Sequence, residues 1–398
     1  MTETFSVGAR PRPYLLPRLR VAGDLLRFEA CPLRYRLHGV GAWPEADAED
    51  APRLAGILVH AALDHAGTAC RPRGAGGEGM PVDEFTASHA LASASRLVDA
   101  VSPRTSRTEA LQASLDASAA IARRTILDLG PHLFPFLTTT EQRLAATRLH
   151  ADGAVDEDVA RRRLRKVERF EVSGILDAAA SGIVPGPDGG PLASLLHGAI
   201  ERKSDRPLDA VIDYKLARRP RVITDGPHGA DAETLRAHAF QVAAYACIRD
   251  RFAVSGGQVG IVIYLYDLFP ELDTRRDVAH TFEPIIGSSA ITDTVRQQSS
   301  DAQSITARLH RASTVIVLDD GVVAEATARI DRIGAAIEAC AEREAASVPP
   351  RLAWPTRRSE LCGECDVRPM CPEWQDTSGH GVLAPHRSGY GQGEPDDG

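Results

Sequence analysis

The sequence predicts a mixed α/β fold. Segments rich in β-branched and aromatic residues recur from residue 167 onward, as "VERFEVSGILDAAA", "DAVIDYKLA" and "QVGIVIYLYDLF". A helical segment, "LRAHAFQVAAYACIRDRF", separates the second from the third. Ala-rich text with helical periodicity fills much of the earlier half, so helices flank a sheet rather than alternate with it throughout.

Taken in order, residues 20–39 predict a helix in which Leu25, Phe28 and Tyr35 recur at turns, ending near Gly39. A polar stretch with Pro44 and Pro52 precedes a second helix, "RLAGILVHAALDHAG", and "CRPRGAGGEGMPVD" reads as a loop. Helical text runs from about residue 84 to 129 and resumes over 141–166. The first strand breaks at the turn-rich "GIVPGPDGGP"; "VAHTFEPI" and "STVIVLDD" read as later strands, the second set among helices over 291–347. The expected organisation is N-terminal helices over 20–66, a helical insertion over 84–166, an α/β core with following helices over 167–347, a cysteine cluster over 348–374 and a disordered tail over 375–398.

Composition narrows the function classes. A net charge of -8 argues against a chain that coats nucleic acid non-specifically, because such binding needs many phosphate-neutralising cations. Basic clusters such as "RPRPYLLPRLR", "RRRLRKVER" and "RRPR" read as solvated surface. No apolar run approaches the roughly 18–20 residues of a membrane span. The N-terminus lacks an apolar core before a small-residue cleavage site, so a cytoplasmic location without membrane association is the expectation. No lysine stands in a G-K-[ST] motif, so any unwinding is expected from a helicase partner, or the substrate is already single-stranded.

The 46 positive side chains include lysine only at Lys166, Lys203 and Lys215. Strand periodicity places Asp213 and Lys215 on one face of "DAVIDYKLA", with Tyr214 pointing away. Asp177 ends the neighbouring strand pattern. Two carboxylates and an amine on one patch suit phosphodiester hydrolysis, in which acids hold a divalent ion and the amine orients or deprotonates the nucleophile. Arginine cannot take that last role because it stays protonated. His60 shares a helix face with Asp64, and Gln241 shares one with Tyr245, four residues on.

Read in order as H, G-x-x-D, D-Y-K and Q-x-x-x-Y, the chain resembles the RecB-like branch of the PD-(D/E)XK nuclease superfamily. The resemblance implies a restriction-endonuclease-like mixed sheet. It implies His60, Asp177 and Asp213 as ligands to Mg2+ or Mn2+, completed by the Tyr214 carbonyl, Lys215 as the catalytic lysine, and Gln241 and Tyr245 as the supporting motif. Glu171 shares the strand parity of Asp177 and is a further candidate; Glu168 does not.

An odd count of seven cysteines points away from a disulfide framework and toward metal ligation. Cys362, Cys365 and Cys371 stand within "CGECDVRPMCP", and three thiolates leave a tetrahedral site open. Cys31, followed by proline as Cys371 is, offers the fourth; Cys70, Cys247 and Cys340 compete. Spacing admits either structural Zn2+ or an iron-sulfur cluster. The resemblance implies a 4Fe-4S cluster on Cys31, Cys362, Cys365 and Cys371, stapling the two ends of the chain over the core, as in the AddB nuclease domain and CRISPR-associated exonucleases. It further implies an exonuclease acting on single-stranded or end-containing DNA, with a helicase, recombination or defence partner. The competing expectation is a catalytically weak iron-sulfur DNA-binding subunit of such a complex.

Overall fold

In the computed structural model, the described residues are 17–40, 50–72, 79–103, 107–149, 169–200, 207–220, 230–249, 257–272, 304–357, 362, 365, 367–368 and 371–375. The expected strand over 278–285, Glu168 and the tail from 376 lie outside them.

The strands are β1 (Arg18–Arg20), β2 (Leu137–Leu149), β3 (Arg169–Ile183), β4 (Leu208–Lys215), β5 (Gly257–Tyr264) and β6 (Ser313–Val317). They form one mixed sheet of order β1-β3-β4-β5-β6, with β2 also pairing β3. β1 is parallel to β3 and β4 to β5; the β2–β3, β3–β4 and β5–β6 pairs are antiparallel. β4 and β5 are buried on both faces. Ile212 and Ile261 belong to one core and Val211 and Val262 to the other, which is why "AVIDY" and "GIVIY" read as unbroken apolar runs.

Helices cover both faces. On one lie α3 (Asp50–Cys70), α4 (Glu84–Val101), α5 (Glu109–Arg124), α6 (Pro191–Ala199) and α8 (Ile305–Ala312), after the N-terminal α1 (Leu26–Ala30) and α2 (Pro32–Tyr35). On the other, α7 (Ala230–Arg249), the parallel crossover between β4 and β5, packs with α9 (Asp320–Ala345), α1 and α2. Two glycines let α7 sit close to the sheet: a Cβ on Gly260 would meet Val242 Cγ1 at 2.2 Å, and one on Gly174 would meet Tyr245 Cε1 at 2.3 Å.

Three expectations are corrected. Residues 141–149, expected to be helical, belong to β2: the segment pairs with β3 along nearly its whole length, and that pairing overrides the helix propensity of its Ala, Leu and Gln. The strand expected to reach residue 269 ends at Tyr264, where Leu265–Leu268 turns into a short helix. The N-terminal helix is interrupted at Cys31, whose backbone is extended (φ -163°, ψ 109°) ahead of Pro32. Proline favours the first turn of the following helix, so the thiol stands at a break rather than mid-helix. Among the described residues no helix is long and apolar enough to cross a membrane.

Candidate active site

Five elements bring side chains to one patch. Asp177 lies on β3, Asp213 and Lys215 on β4, His60 on α3, Gln241 and Tyr245 on α7, and Glu141 on β2. His60 Nδ1 is 3.2 Å from Asp177 Oδ1 and 3.8 Å from Glu141 Oε1. Among the described residues, His60, Glu141 and Asp177 are the one trio of His, Cys, Asp or Glu whose ligand atoms all lie within 4.8 Å of one another. The second oxygen of Asp177 accepts the Tyr214 backbone N–H at 2.7 Å, which ties β3 to β4 at the site.

Asp213 and Lys215 project together, with Nζ 2.8 Å from Asp213 Oδ2. Gln241 organises this pair. Its Oε1 accepts from Lys215 Nζ at 2.9 Å, while its Nε2 donates to Asp213 Oδ1 at 3.0 Å and to the Tyr245 hydroxyl at 3.1 Å. The Tyr245 ring lies over Gly174, so the glycine of G-x-x-D and the tyrosine of Q-x-x-x-Y are one contact seen from two strands of sequence. Side-chain exposure falls from 31% at Glu141 and 29% at His60 to 10% at Asp177 and 1% at Asp213. Glu141 and His60 therefore face the approach and Asp213 the floor.

Glu141 is the site residue that strand parity missed. The flanking pairs Thr140↔Ala178 and Gln142↔Leu176 put it opposite Asp177. Its φ of 45° is a left-handed conformation that side chains adopt at a cost, and such strain concentrates at functional sites. The available signal was the run Thr138–Thr140, a strand-favouring sequence just before the text read as helix from residue 141. Glu171, the acid that parity suggested, is instead paired with Arg18 Nε at 2.5 Å on the neighbouring β1.

Crowded acids in a buried site resist ionisation. Burial, together with Asp177 and Asp64, pushes the Glu141 carboxyl up to about 7, against the opposing pull of His60. Burial also raises Asp213 to about 6, with Asp177 adding to the rise and Lys215 opposing it. Burial alone would raise Asp177 too, but His60, Lys215 and the Tyr214 N–H bring it below its usual range. Desolvation pulls His60 down, yet Asp177, Asp213 and Glu141 outweigh it and hold the imidazolium up to about 9.

This donor set fits a hard divalent cation. Three carboxylates and an imidazole are suitable ligands, and the buried Asp213 Oδ2, in ion-pair contact with Lys215, receives no aligned hydrogen bond. A cation would relieve the repulsion that raises two of the acids.

The four expected cluster cysteines also meet. Cys31, Cys362, Cys365 and Cys371 line one cavity, with Arg34, Arg357 and Arg368 around it. Arg357 donates to the Glu29 carbonyl at 2.7 Å and so joins the C-terminal segment to α1. None of the seven cysteines is in a disulfide. The competitors lie apart from this cavity: Cys70 and Cys340 are buried in the two cores, and Cys247 accepts from Thr327 Oγ1 at 3.5 Å.

A mixed sheet flanked by helices, with acids and a lysine on adjoining strands and a histidine reaching them from α3, is an arrangement suited to the class of metal-dependent nucleases. A family model for the PD-(D/E)XK nuclease superfamily matches residues 22–372, and the chain belongs to that superfamily. No curated protein matches the sequence.

Proposed function

We propose that the protein is a Mg2+- or Mn2+-dependent deoxyribonuclease acting on single-stranded or end-containing DNA. The observation that carries this reading is the position of Lys215: its Nζ is held between Asp213 and Gln241, on the strand next to the His60–Glu141–Asp177 trio. In this reading His60, Asp177, Asp213 and Glu141 hold the ion. The Tyr214 carbonyl joins them, because carbonyl and N–H of one strand residue point to the same side and the N–H already faces Asp177. The bound ion would polarise the phosphate and lower the pKa of a water.

The chain's own groups do the positioning. An ammonium has three donors; Lys215 Nζ gives one to Gln241 and is in ion-pair contact with Asp213, which leaves donor capacity to orient the attacking water or a phosphate oxygen. The Gln241 amide is fixed by three partners, so the lysine is held in one direction before substrate arrives. Tyr245 supports Gln241 from the side of β3.

The same proposal assigns a 4Fe-4S cluster to Cys31, Cys362, Cys365 and Cys371. The shared cavity supports it, as does the arginine lining, which favours thiolates and an anionic centre. The arginines would equally suit a four-thiolate zinc site, so the experiment includes metal analysis.

The test is anaerobic purification followed by cleavage of end-labelled single- and double-stranded DNA with Mn2+. The native chain is compared with Lys215→Ala and Asp213→Ala. Loss of cleavage in both variants is expected; equal cleavage by all three proteins would identify a contaminant and retire the proposal. Absorbance at about 400 nm with bound iron is expected for the cluster, whereas zinc without colour would replace that part of the reading.

A further inference from the structure

Among the described residues, the first half of β3 has one uncovered face. Glu171 and Ser173 pair with Arg18 and Arg20 of β1, while Ser173 and Ile175 pair with Ala145 and Arg143 of β2. Directly paired residues share a face, so these side chains form one surface across three strands. The alternate residues, Leu19, Leu144, Val172 and Leu176, are buried in the core beneath α7. Among the described residues the first surface has no such cover. Ile175 is 46% exposed, Arg143 and Ala145 are exposed, and the side chains of Arg18 and Arg20 are 69% and 64% exposed.

This surface leads into the active site. Ile175 stands two residues before Asp177, and its partner Arg143 two residues after Glu141. From Glu171 to Asp177 the strand rises about 20 Å. Arg18 and Arg20 are engaged with Glu171 and Asp24, but Arg143 has no hydrogen-bond or ion-pair partner among the described residues.

We propose that this face is the track along which a single strand of polynucleotide reaches the metal site; the inference rests on the nuclease reading above. An unpaired guanidinium beside an exposed branched apolar side chain matches a ligand that presents phosphate and bare base side by side. A single strand does so, whereas a duplex keeps its bases stacked inside and offers Ile175 nothing apolar. The charge order also fits. The arginines precede the carboxylates, so the strand is gripped before the cluster, and its phosphate enters the acidic end only against a bound cation.

The experiment measures binding of a labelled oligothymidine and of a blunt duplex without divalent metal, over a salt series, for native protein, Arg143→Ala, Arg143→Glu and Ile175→Ser. Both positions are exposed, and an unchanged melting temperature checks folding. Single-strand affinity is expected to fall about fivefold for Arg143→Ala and for Ile175→Ser, and further for Arg143→Glu. The salt slope is expected to drop by about 0.7 for Arg143→Ala and to stay constant for Ile175→Ser. Duplex affinity should change less than single-strand affinity. Native affinities and slopes in all variants would overturn the track, and so would losses equal for duplex and single strand. Mn2+-dependent cleavage by the native chain is read separately: absent cleavage with the binding losses intact sinks the nuclease reading and leaves the track standing.

Discussion

At the residue scale, Gln241 and Glu141 make the sharpest predictions. Gln241 is the only group that touches Asp213, Lys215 and Tyr245 together among the described hydrogen bonds, and nothing in it ionises. Replacing it with alanine frees the lysine without removing a metal ligand. Cleavage is expected to fall about a hundredfold while Mn2+ affinity, followed by calorimetry, stays within about threefold. Glu141→Gln keeps shape but removes charge, so the expected pattern is the reverse. Mn2+ affinity should drop about ten- to a hundredfold, and excess metal should recover part of the activity. A Glu141 variant with native metal affinity would remove it from the ion's shell. Why Glu141 escaped sequence reading is physical: its place opposite Asp177 depends on the β2–β3 register, and no periodicity within "TTTEQRLAA" encodes a partner strand. Asp213 and Lys215 were legible because strand parity alone fixes their relative facing, whereas Asp177 on the next strand was reached through the G-x-x-D resemblance.

At the element scale, α7 is positioned by contacts that leave no slack. Gly174→Ala would drive a methyl into the Tyr245 ring and Gly260→Ala into Val242. Each is expected to destabilise by about 1–3 kcal/mol in denaturant titrations. Only Gly174→Ala should also lower turnover of the remaining folded protein, since Tyr245 leans on Gln241. A second fastening joins the ends of the chain. Arg36 and Glu344 form a buried bidentate pair, both contacts at 2.7 Å, and Trp354 Nε1 donates to the same carboxylate at 2.6 Å. Removing one partner strands a buried charge, so Glu344→Gln is expected to cost about 3–5 kcal/mol. That pair and the Arg357–Glu29 hydrogen bond both join the N-terminal segment carrying Cys31 to the C-terminal part of the chain. The helix break at Cys31 and the short helix beginning at Pro372 both fall at a Cys-Pro step, where proline occupies the first helical turn. Spacing alone did not single out the cavity these cysteines share, which needs residues more than 300 positions apart; the expectation that Cys31 joins the other three came from the family resemblance.

At the scale of the whole molecule, the proposed metal site links stability to pH. His60, Glu141 and Asp213 all bind protons more tightly in the folded chain than their ordinary values of 6.5, 4.5 and 3.8 would give. Stability from such groups is complete below the ordinary values and is lost as pH rises through the folded ones, about 6 for Asp213, 7 for Glu141 and 9 for His60. Asp177, held below its usual range, acts oppositely and only at more acidic pH. Melting temperature of the metal-free protein is therefore expected to fall between about pH 5 and pH 9. Added Mg2+ should raise it little at pH 5 and most near pH 8, because a cation replaces the bound protons. A melting temperature that is flat with pH, or equal Mg2+ effects at both ends, would contradict the ionisation states assigned here.

Local chemistry in the sequence was enough to establish an α/β chain, the facing of Asp213 and Lys215, the pairing of Gln241 with Tyr245 along one helix, and cysteines suited to metal. Each rests on a repeat of two or about four residues, which a linear chain displays openly. Tertiary structure alone decided that residues 137–149 form a strand and that Glu141 rather than Glu171 lies beside His60 and Asp177. Those outcomes turn on which strand lies beside which and in what register. Hydrogen bonding between segments far apart in the chain sets that register, and no local pattern records it.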